Sequence, residues 1–226
     1  MPRLVLATRN PGKVAEMLDI MRASGFDGGF AGVEVLSCAD FPGLADVAED
    51  GETFEENATK KAVAAARATG EVALADDSGL EVDALCGAPG VRSARFAGED
   101  LPRGASRDRT NYEKLLSLLA GVPDHERTAR FRCAVAVATP KGRVRCAEGK
   151  CEGRIIREPR GSDGFGYDPV FVPDGYDSTF AELGPGVKNS ISHRARALRA
   201  AIPAIRELLT DPDTGEPDPR RPEGAA

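Results

Sequence analysis

The 226-residue chain has no apolar stretch approaching the roughly 20 residues that cross a bilayer as a helix. Its first apolar run, in MPRLVLATRN, breaks too early to be read as a secretory signal. Positive charge is not in surplus either. There are 30 Lys and Arg against 36 Asp and Glu, a net charge of −6 and a pI of 5.2. That balance argues against a broad basic surface for a nucleic-acid backbone. Neither nucleic acid nor membrane is therefore an expected partner, whereas a small anion held by a local cluster of cations is compatible. The five cysteines are odd in number and include no C-x-x-C, so neither a disulfide framework nor a zinc site is indicated. A reduced, cytoplasmic setting is the expectation. Also missing are a P-loop, a G-x-G-x-x-G after a strand, and any internal repeat.

What is present reads as an ordinary globular chain, with 41% apolar and 29% charged residues. The length suits one domain, 1–210, built of two lobes. The last segment, DPDTGEPDPRRPEGAA (211–226), is rich in Pro, Gly and charge and reads as disordered. LVLA (4–7) predicts a buried strand. Asn10 then offers an N-cap and Pro11 a first helical position for a helix with Val14, Met17, Leu18 and Met21 on its apolar face. VEVLS (33–37) suits a strand. Thr53 and Glu56 form a capping box for an Ala-rich helix ending near Gly70, and VALA (72–75) predicts the next strand. CGAPGVRSARFAGED (86–100) reads as loop, and Thr110 with Glu113 as a second capping box. ARFRCAVAVA (129–138) alternates Phe131, Cys133, Val135 and Val137 on one face, and TPKG followed by RVRCAEGKC suggests a hairpin. RIIRE (154–158) and PVFVP (169–173) read as further strands. Ser192 caps a last helix that Pro203 should kink. Strand–helix alternation first and hairpins later indicate an α/β fold with a mixed sheet.

Several stretches could carry chemistry, each with a plainer alternative. ATRNPGK (7–13) joins a strand to a helix start, where the dipole and free amides favour an anion; Thr8, Asn10 and Lys13 would add contacts. The same residues also suit a capped helix with a surface lysine. Glu49 and Asp50 stand before a helix whose Asn57 and Lys61 share one face. In ADDSG, Asp76 and Asp77 crowd the end of an apolar run. A turn held by Asx hydrogen bonds would use them structurally. A hard divalent cation would offset their repulsion, and Asp77 beside it could orient or deprotonate a water. Alternation along a strand would send the two side chains opposite ways. The glycines of GSDGFGYDP allow a flat ligand to approach the backbone, with Phe165 or Tyr167 as a stacking surface. Lys188, His193 and Arg194 are either a solvated basic helix end or a donor set.

Taken together and in order, TRNPGK, TFEENATKKA, DDSGLEVDALCGAPGVRSARFAG, GFGYDPVF and KNSISHRARAL resemble the inosine triphosphate pyrophosphatase family, from about Leu4 to Leu209. The resemblance implies an elongated α/β fold with a long mixed sheet flanked by helices, and two lobes around a central cleft. It implies a homodimeric, Mg²⁺-dependent hydrolase that converts ITP, dITP and XTP to the monophosphate and pyrophosphate. Carried over by motif, Thr8, Arg9, Asn10, Pro11, Gly12 and Lys13 would cradle the triphosphate. Asp77 would be the general base and a metal ligand, with Glu49 and Asp76 at the metal. Lys61 and Ser78 would contact phosphates or sugar. Phe165 would stack on the base within Phe165, Gly166, Tyr167 and Asp168, and Lys188, His193 and Arg194 would complete its recognition. The chain departs from the family's usual pattern at EDGETF, where Asp50 stands in place of a threonine.

Overall fold

The computed structural model describes residues 1–25, 32–98 and 106–210; the segment expected to be disordered, 211–226, lies outside them. Strand β1 (Arg3–Leu6) leads into helix α1 (Pro11–Ala23), as the Asn-Pro pair predicts. The Asn10 side chain accepts from the amides of Gly12 and Lys13 at 2.9 and 3.2 Å, which satisfies two of the helix's orphan donors. Strand β2 (Glu34–Ser37) follows, then helix α2 (Phe54–Thr69). Thr53 caps α2, and Gly70 ends it in the left-handed conformation that glycine adopts without a Cβ clash. The expected capping box is only half present. Glu56 reaches back to the amide of Glu52 rather than to that of Thr53.

Strand β3 (Val72–Val82) is longer than the apolar run that announced it. It continues straight through Asp76, Asp77, Ser78 and Gly79, so no Asx turn forms there. Helix α3 (Arg107–Leu118) starts earlier than expected, capped by Ser106. Thr110 is inside its first turn and donates to the Ser106 carbonyl. Strands β4 (Thr128–Ala138) and β5 (Val144–Ile155) form the predicted hairpin, and β5 absorbs the start of RIIRE. Strand β6 (Phe171–Pro173) is short. Helix α4 (Phe180–Ile191), missed in the sequence because Gly184 and Pro185 interrupt its periodicity, is broken at Gly184 by a φ of 74°. Helix α5 (His193–Thr210) is unbroken across Pro203. Pro203 and Arg199 are both exposed, so water can serve the carbonyl that the proline leaves without a donor. The stretch 86–100, read as loop, contains a short 3₁₀ segment, Gly90–Arg95.

The six strands form one mixed sheet in the order β2-β1-β3-β4-β5-β6. β2, β1 and β3 are parallel, and the remaining pairs are antiparallel. Alternation sorts the core. Leu4, Leu6, Val72, Leu74, Cys133, Val135 and Val137 face α1 and α5. Val5, Ala73, Ala75, Ala134 and Ala136 face the alanines of α2, where small side chains on both sides let the helix sit close to the sheet. A third cluster, around Leu80, Phe131, Tyr167, Phe171 and Phe180, forms the other lobe.

One detail of pairing positions everything that follows. β1 accompanies β3 only from Val72 to Leu74, whereas β4 accompanies it from Ala73 to Val82. The β1 side of β3 is next covered at Leu80, whose amide donates to Ser93 Oγ at 2.9 Å, and at Glu81, bridged to Pro89. Between these points the strand edge is open, and that gap spans Asp76 to Gly79.

Helix α5 is held against β5 at Gly149. A Cβ there would lie 2.3 Å from the His193 carbonyl oxygen and 2.4 Å from the Ala197 nitrogen. Gly149→Ala should therefore push the helix off the sheet and destabilise the protein by about 1–3 kcal/mol, read as a lower urea midpoint at unchanged m-value.

Candidate active site

A cleft of about 680 Å³ opens at the uncovered edge of β3, between the α2 core and the third cluster. Its wall includes Thr8, Arg9, Asn10 and Lys13, then Glu49 and Lys61, then Asp77 and Ser78. The far end is lined by Phe165 to Asp168, Lys188, His193 and Arg194. Residues from six separate segments thus meet in one space, as the sequence reading required of them. How they meet differs in several respects from that reading.

Asp77 points to the α2 face. Its Oδ1 is 3.2 Å from Lys61 Nζ, and its Oδ2 accepts from Asn57 Nδ2 at 3.1 Å. The same Lys61 ammonium donates to Glu49 Oε1 at 2.6 Å. One cation therefore stands between the two carboxylates nearest the mouth. Burial pushes the Asp77 carboxyl above the usual carboxylate range and the Glu49 charge adds to this, although Lys61, Lys13 and Asn57 oppose it. For Glu49 burial also works against ionisation, but Lys61, Lys13 and Arg95 outweigh it and hold the carboxyl low. Asp50, in contrast, is exposed and pairs with Lys60 at 2.8 Å.

Asp76 points to the opposite face and has a fully buried side chain. Lys13 Nζ lies 3.0 Å from its Oδ2, and Arg194 Nε and Nη2 donate to the same oxygen at 3.1 and 3.0 Å. These cations outweigh the burial that opposes its charge and hold its carboxyl far below the usual range. Expected at a metal, Asp76 is instead spent on anchoring two basic side chains. Ser78 shares this role, accepting from Arg194 Nη2 at 3.0 Å. The Arg194 guanidinium is completed by Glu16, whose Oε2 lies 2.5 Å from Nη1.

At the far end, Asp168 Oδ2 accepts from the Phe165 amide at 2.9 Å and from Lys188 Nζ at 2.6 Å. Lys188 lies 4.5 Å, and Arg194 5.6 Å, from the Phe165 ring centroid, so the half-buried ring is backed by cations. Tyr167 is not a second stacking surface. It is buried, and its hydroxyl donates to the Ser93 carbonyl at 2.9 Å. Gly166 N donates to Asp108 Oδ2 at 2.8 Å. His193 is buried and stacked on Phe131, with ring centroids 4.7 Å apart and an 11° interplanar angle; its Nδ1 has no hydrogen-bond partner. Burial, together with Arg194 and Lys188, drives its pKa well down, so it stays neutral. Arg9 lines the cleft with its guanidinium engaged there, pairing with Asp46 at 2.8 Å and donating to the Leu44 carbonyl. The amides of Gly12 and Lys13 are already taken by Asn10, so a phosphate here would meet the Thr8 hydroxyl and the lysines first.

The sequence does not single out Glu16, Asn57, Arg95 or Asp108 as site residues. Glu16 was detectable only as a carboxylate one helical turn from Lys13, and Asn57 through its shared face with Lys61. Arg95 and Asp108 had no local signal, because each acts across a long sequence separation.

Among the described residues no group of three or more His, Cys, Asp and Glu side chains forms a ready-made metal site. The chemistry of the donor set nevertheless fits a hard divalent ion. Mg²⁺ takes one or two carboxylates and completes its shell with phosphate oxygens and water, and Asp77 and Glu49 already share a cation.

A model of the Ham1 family matches residues 4–204. A relative from Desulforamulus reducens, named dITP/XTP pyrophosphatase, is 56% identical over 206 residues, covering 91% of this chain and 96% of that protein. Another of the same name, from Bacillus subtilis, is 48% identical over 199 residues, covering 88% and 94%. Among solved structures, a HAM1 protein from Coxiella burnetii superposes with a TM-score of 0.78 at 40% identity over 92% of this chain and all of that one. The Mycobacterium abscessus nucleoside-triphosphatase / dITP/XTP pyrophosphatase does so with a TM-score of 0.69 at 43% identity, covering 89% and 99%.

The neutral His193 makes stability depend on pH. Its unfolded value is near 6.5 and its folded value lies well below, so as pH falls through 6.5 the unfolded chain takes up a proton that the folded protein refuses. Stability should fall by about 1.4 kcal/mol per pH unit below 6.5, until the folded value is reached. Asp77 and Asp168, pushed up by burial, act in the opposite direction. The readout is therefore the difference between wild type and His193→Gln in urea unfolding at pH 7.5 and 5.5. The variant should lose about 1.4 kcal/mol less across that interval.

Proposed function

The chain belongs to the Ham1 family, and from that premise we propose that it hydrolyses deaminated purine nucleoside triphosphates (ITP, dITP and XTP) to the monophosphate and pyrophosphate. The observation that carries this reading is the convergence, in one cleft, of a half-buried aromatic ring backed by cations at one end and two mouth-facing carboxylates with two lysines at the other. The cleft volume of about 680 Å³ lies within the range of small-ligand sites.

The triphosphate lies along Thr8, Asn10 and Lys13, with Lys61 and Ser78 opposite, and the base stacks on Phe165. Selectivity follows from hydrogen-bond type. Hypoxanthine and xanthine carry a carbonyl where adenine carries an amino group. Lys188 has three donors and spends one on Asp168 at 2.6 Å, so it can also serve a carbonyl, and an amino group offers it nothing. A site built around such a pairing rejects the mismatched analogue strongly.

Asp77 is the general base. Asn57 holds its Oδ2, which leaves Oδ1 beside Lys61 to receive the proton of a water attacking the α-phosphorus. Lys61 and Lys13 neutralise charge as it moves onto the departing pyrophosphate. Asp77 and Glu49 would hold Mg²⁺, which when bound supplies charge neutralisation at the phosphates. The ion-pair network favours such an ion. It runs from Glu49 through Lys61 to Asp77, and from Lys13 through Asp76, Arg194, Glu16 and Lys188 to Asp168. In it five carboxylates meet four cations, with Arg95 acting on Glu49 as a fifth, so the site holds no surplus positive charge for a polyanionic substrate entering alone. No helix among the described residues is long and apolar enough to cross a membrane. We read the protein as a homodimeric enzyme of the cytoplasm that clears deaminated purines from the nucleotide pool.

A panel of ITP, dITP, XTP, ATP and GTP with Mg²⁺, reading pyrophosphate and orthophosphate separately, tests the reaction. Pyrophosphate should be the primary product from the first three; orthophosphate first would place cleavage at another bond. Asp77→Asn should lose at least about 10²-fold in kcat while still binding ITP, and an unchanged rate removes Asp77 from the chemistry.

A further inference from the structure

The segment that carries Glu49 has no regular structure of its own. It crosses from the 3₁₀ turn at Cys38–Asp40 to the start of α2 without a strand or helix. Yet Glu49 must stay at a defined distance from Asp77 if the two are to act on one ion. Lys61 ties them, but through the same ammonium that contacts phosphate in the proposed reaction. Arg95 Nη2 holds the Glu49 carbonyl at 2.6 Å, a contact that does not include Asp77, so a further tie between the two is called for.

Asn57 is placed to do this. It lies on the first turns of α2, is 1% exposed, and uses both ends of its carboxamide. Nδ2 donates to Asp77 Oδ2 at 3.1 Å, and Oδ1 accepts from the Gly51 amide at 2.8 Å. Gly51 is two residues from Glu49. It has no side chain at the point where one would collide: a Cβ there would sit 2.7 Å from Asn57 Oδ1 and 3.0 Å from Glu56 Cβ. The amide has to be oriented this way, because a carboxylate accepts and a backbone N–H donates. We propose that Asn57 is a positioning residue whose carboxamide sets the distance between the general base Asp77 and the loop bearing Glu49, so that both carboxylates can act on one cation. The proposal rests on the roles given above to Asp77 and Glu49, and it adds the part that holds them in register.

Outer partners of this kind commonly cost about 10- to 100-fold in activity or metal affinity when removed. Asn57→Asp keeps the size and the acceptor for Gly51 but replaces the donor facing Asp77 with a second acceptor. Expected are a kcat at least about tenfold lower, a KM for ITP within about threefold of wild type at saturating Mg²⁺, and a lower Tm. Gly51→Ala, acting from the other side of the same contact, should give the same kinetic split. A readout independent of turnover comes from combining Asn57→Asp with Asp77→Asn. The combination restores a donor–acceptor pair in the reverse direction, so Tm should recover towards wild type although kcat stays at least about 10²-fold down. Mn²⁺ binding to the nucleotide-free protein, followed by electron paramagnetic resonance, should weaken by about tenfold or more in Gly51→Ala, which leaves the charge of the site unchanged. The proposal is overturned if Asn57→Asp retains kcat within twofold, if the Mn²⁺ affinity of Gly51→Ala is unchanged, or if the double substitution is no more stable than Asn57→Asp alone. Failure of the general-base reading is separate and would show as full activity in Asp77→Asn by itself.

Discussion

Two adjacent carboxylates on one strand, pointing to opposite faces of the sheet at a place where its neighbour has ended, are the constraint on which the rest depends. Inside a continuous sheet, Asp76 and Asp77 would each face a separate core and could not serve one ligand. Because β1 leaves after Leu6, both faces of β3 become reachable from its open edge. Asp76 then gathers Lys13 from α1 and Arg194 from α5 on one side, and Asp77 gathers Lys61 and Asn57 from α2 on the other. The cleft is the place where the two faces communicate. Gly79, two residues on, lets the 3₁₀ segment close over the same strand: a Cβ there would lie 2.4 Å from the Gly90 carbonyl and 2.5 Å from Ser93 Oγ.

The two aspartates carry different loads for an electrostatic reason. Asp76 is wholly buried and would be costly as an isolated charge, so its oxygens must be paired, and Lys13 and Arg194 do this. That pairing also fixes where the two cations sit, which orders both ends of the cleft at once. Asp77 is less deeply enclosed and keeps one oxygen near the mouth. Its carboxyl is pushed up by burial, while that of Asp76 is held down by cations. Neighbouring carboxylates with separated affinities for a proton are what a division between an anchor and a base requires.

Much of this was legible in the chain. Asn10 and Pro11 announced α1, Thr53 and Gly70 bounded α2, and the alternation of Phe131 to Val137 announced β4. The opposition of Asp76 and Asp77 followed from the two-residue period of a strand. Less legible were features where a local rule is broken by a distant partner. β3 was cut short at Ala75 because charged residues do not read as strand interior. In the fold they do lie in strand, because Lys13, Arg194 and Lys61 arrive to pair them. Helix α4 was hidden by Gly184 and Pro185, and the start of α3 by a threonine that turned inward. His193 looked like a basic helix end, yet it is neutral and stacked on Phe131.

Local chemistry in the chain marked residues that meet in the cleft: the carboxylates at the strand end, the lysines on the helices, the aromatic ring among glycines, and the strand–helix alternation that arranges them. These follow from short-range physics, because caps, turns and periodicity involve only neighbours. Tertiary structure alone decided their division of labour. Which aspartate is buried, which amides Asn10 has already taken, and whether Asn57 reaches both Asp77 and Gly51 depend on where β1 stops and how closely α1, α2 and α5 pack on the sheet. Those are contacts between segments as much as 178 residues apart, as for Arg194 and Glu16, and no local pattern encodes their distance.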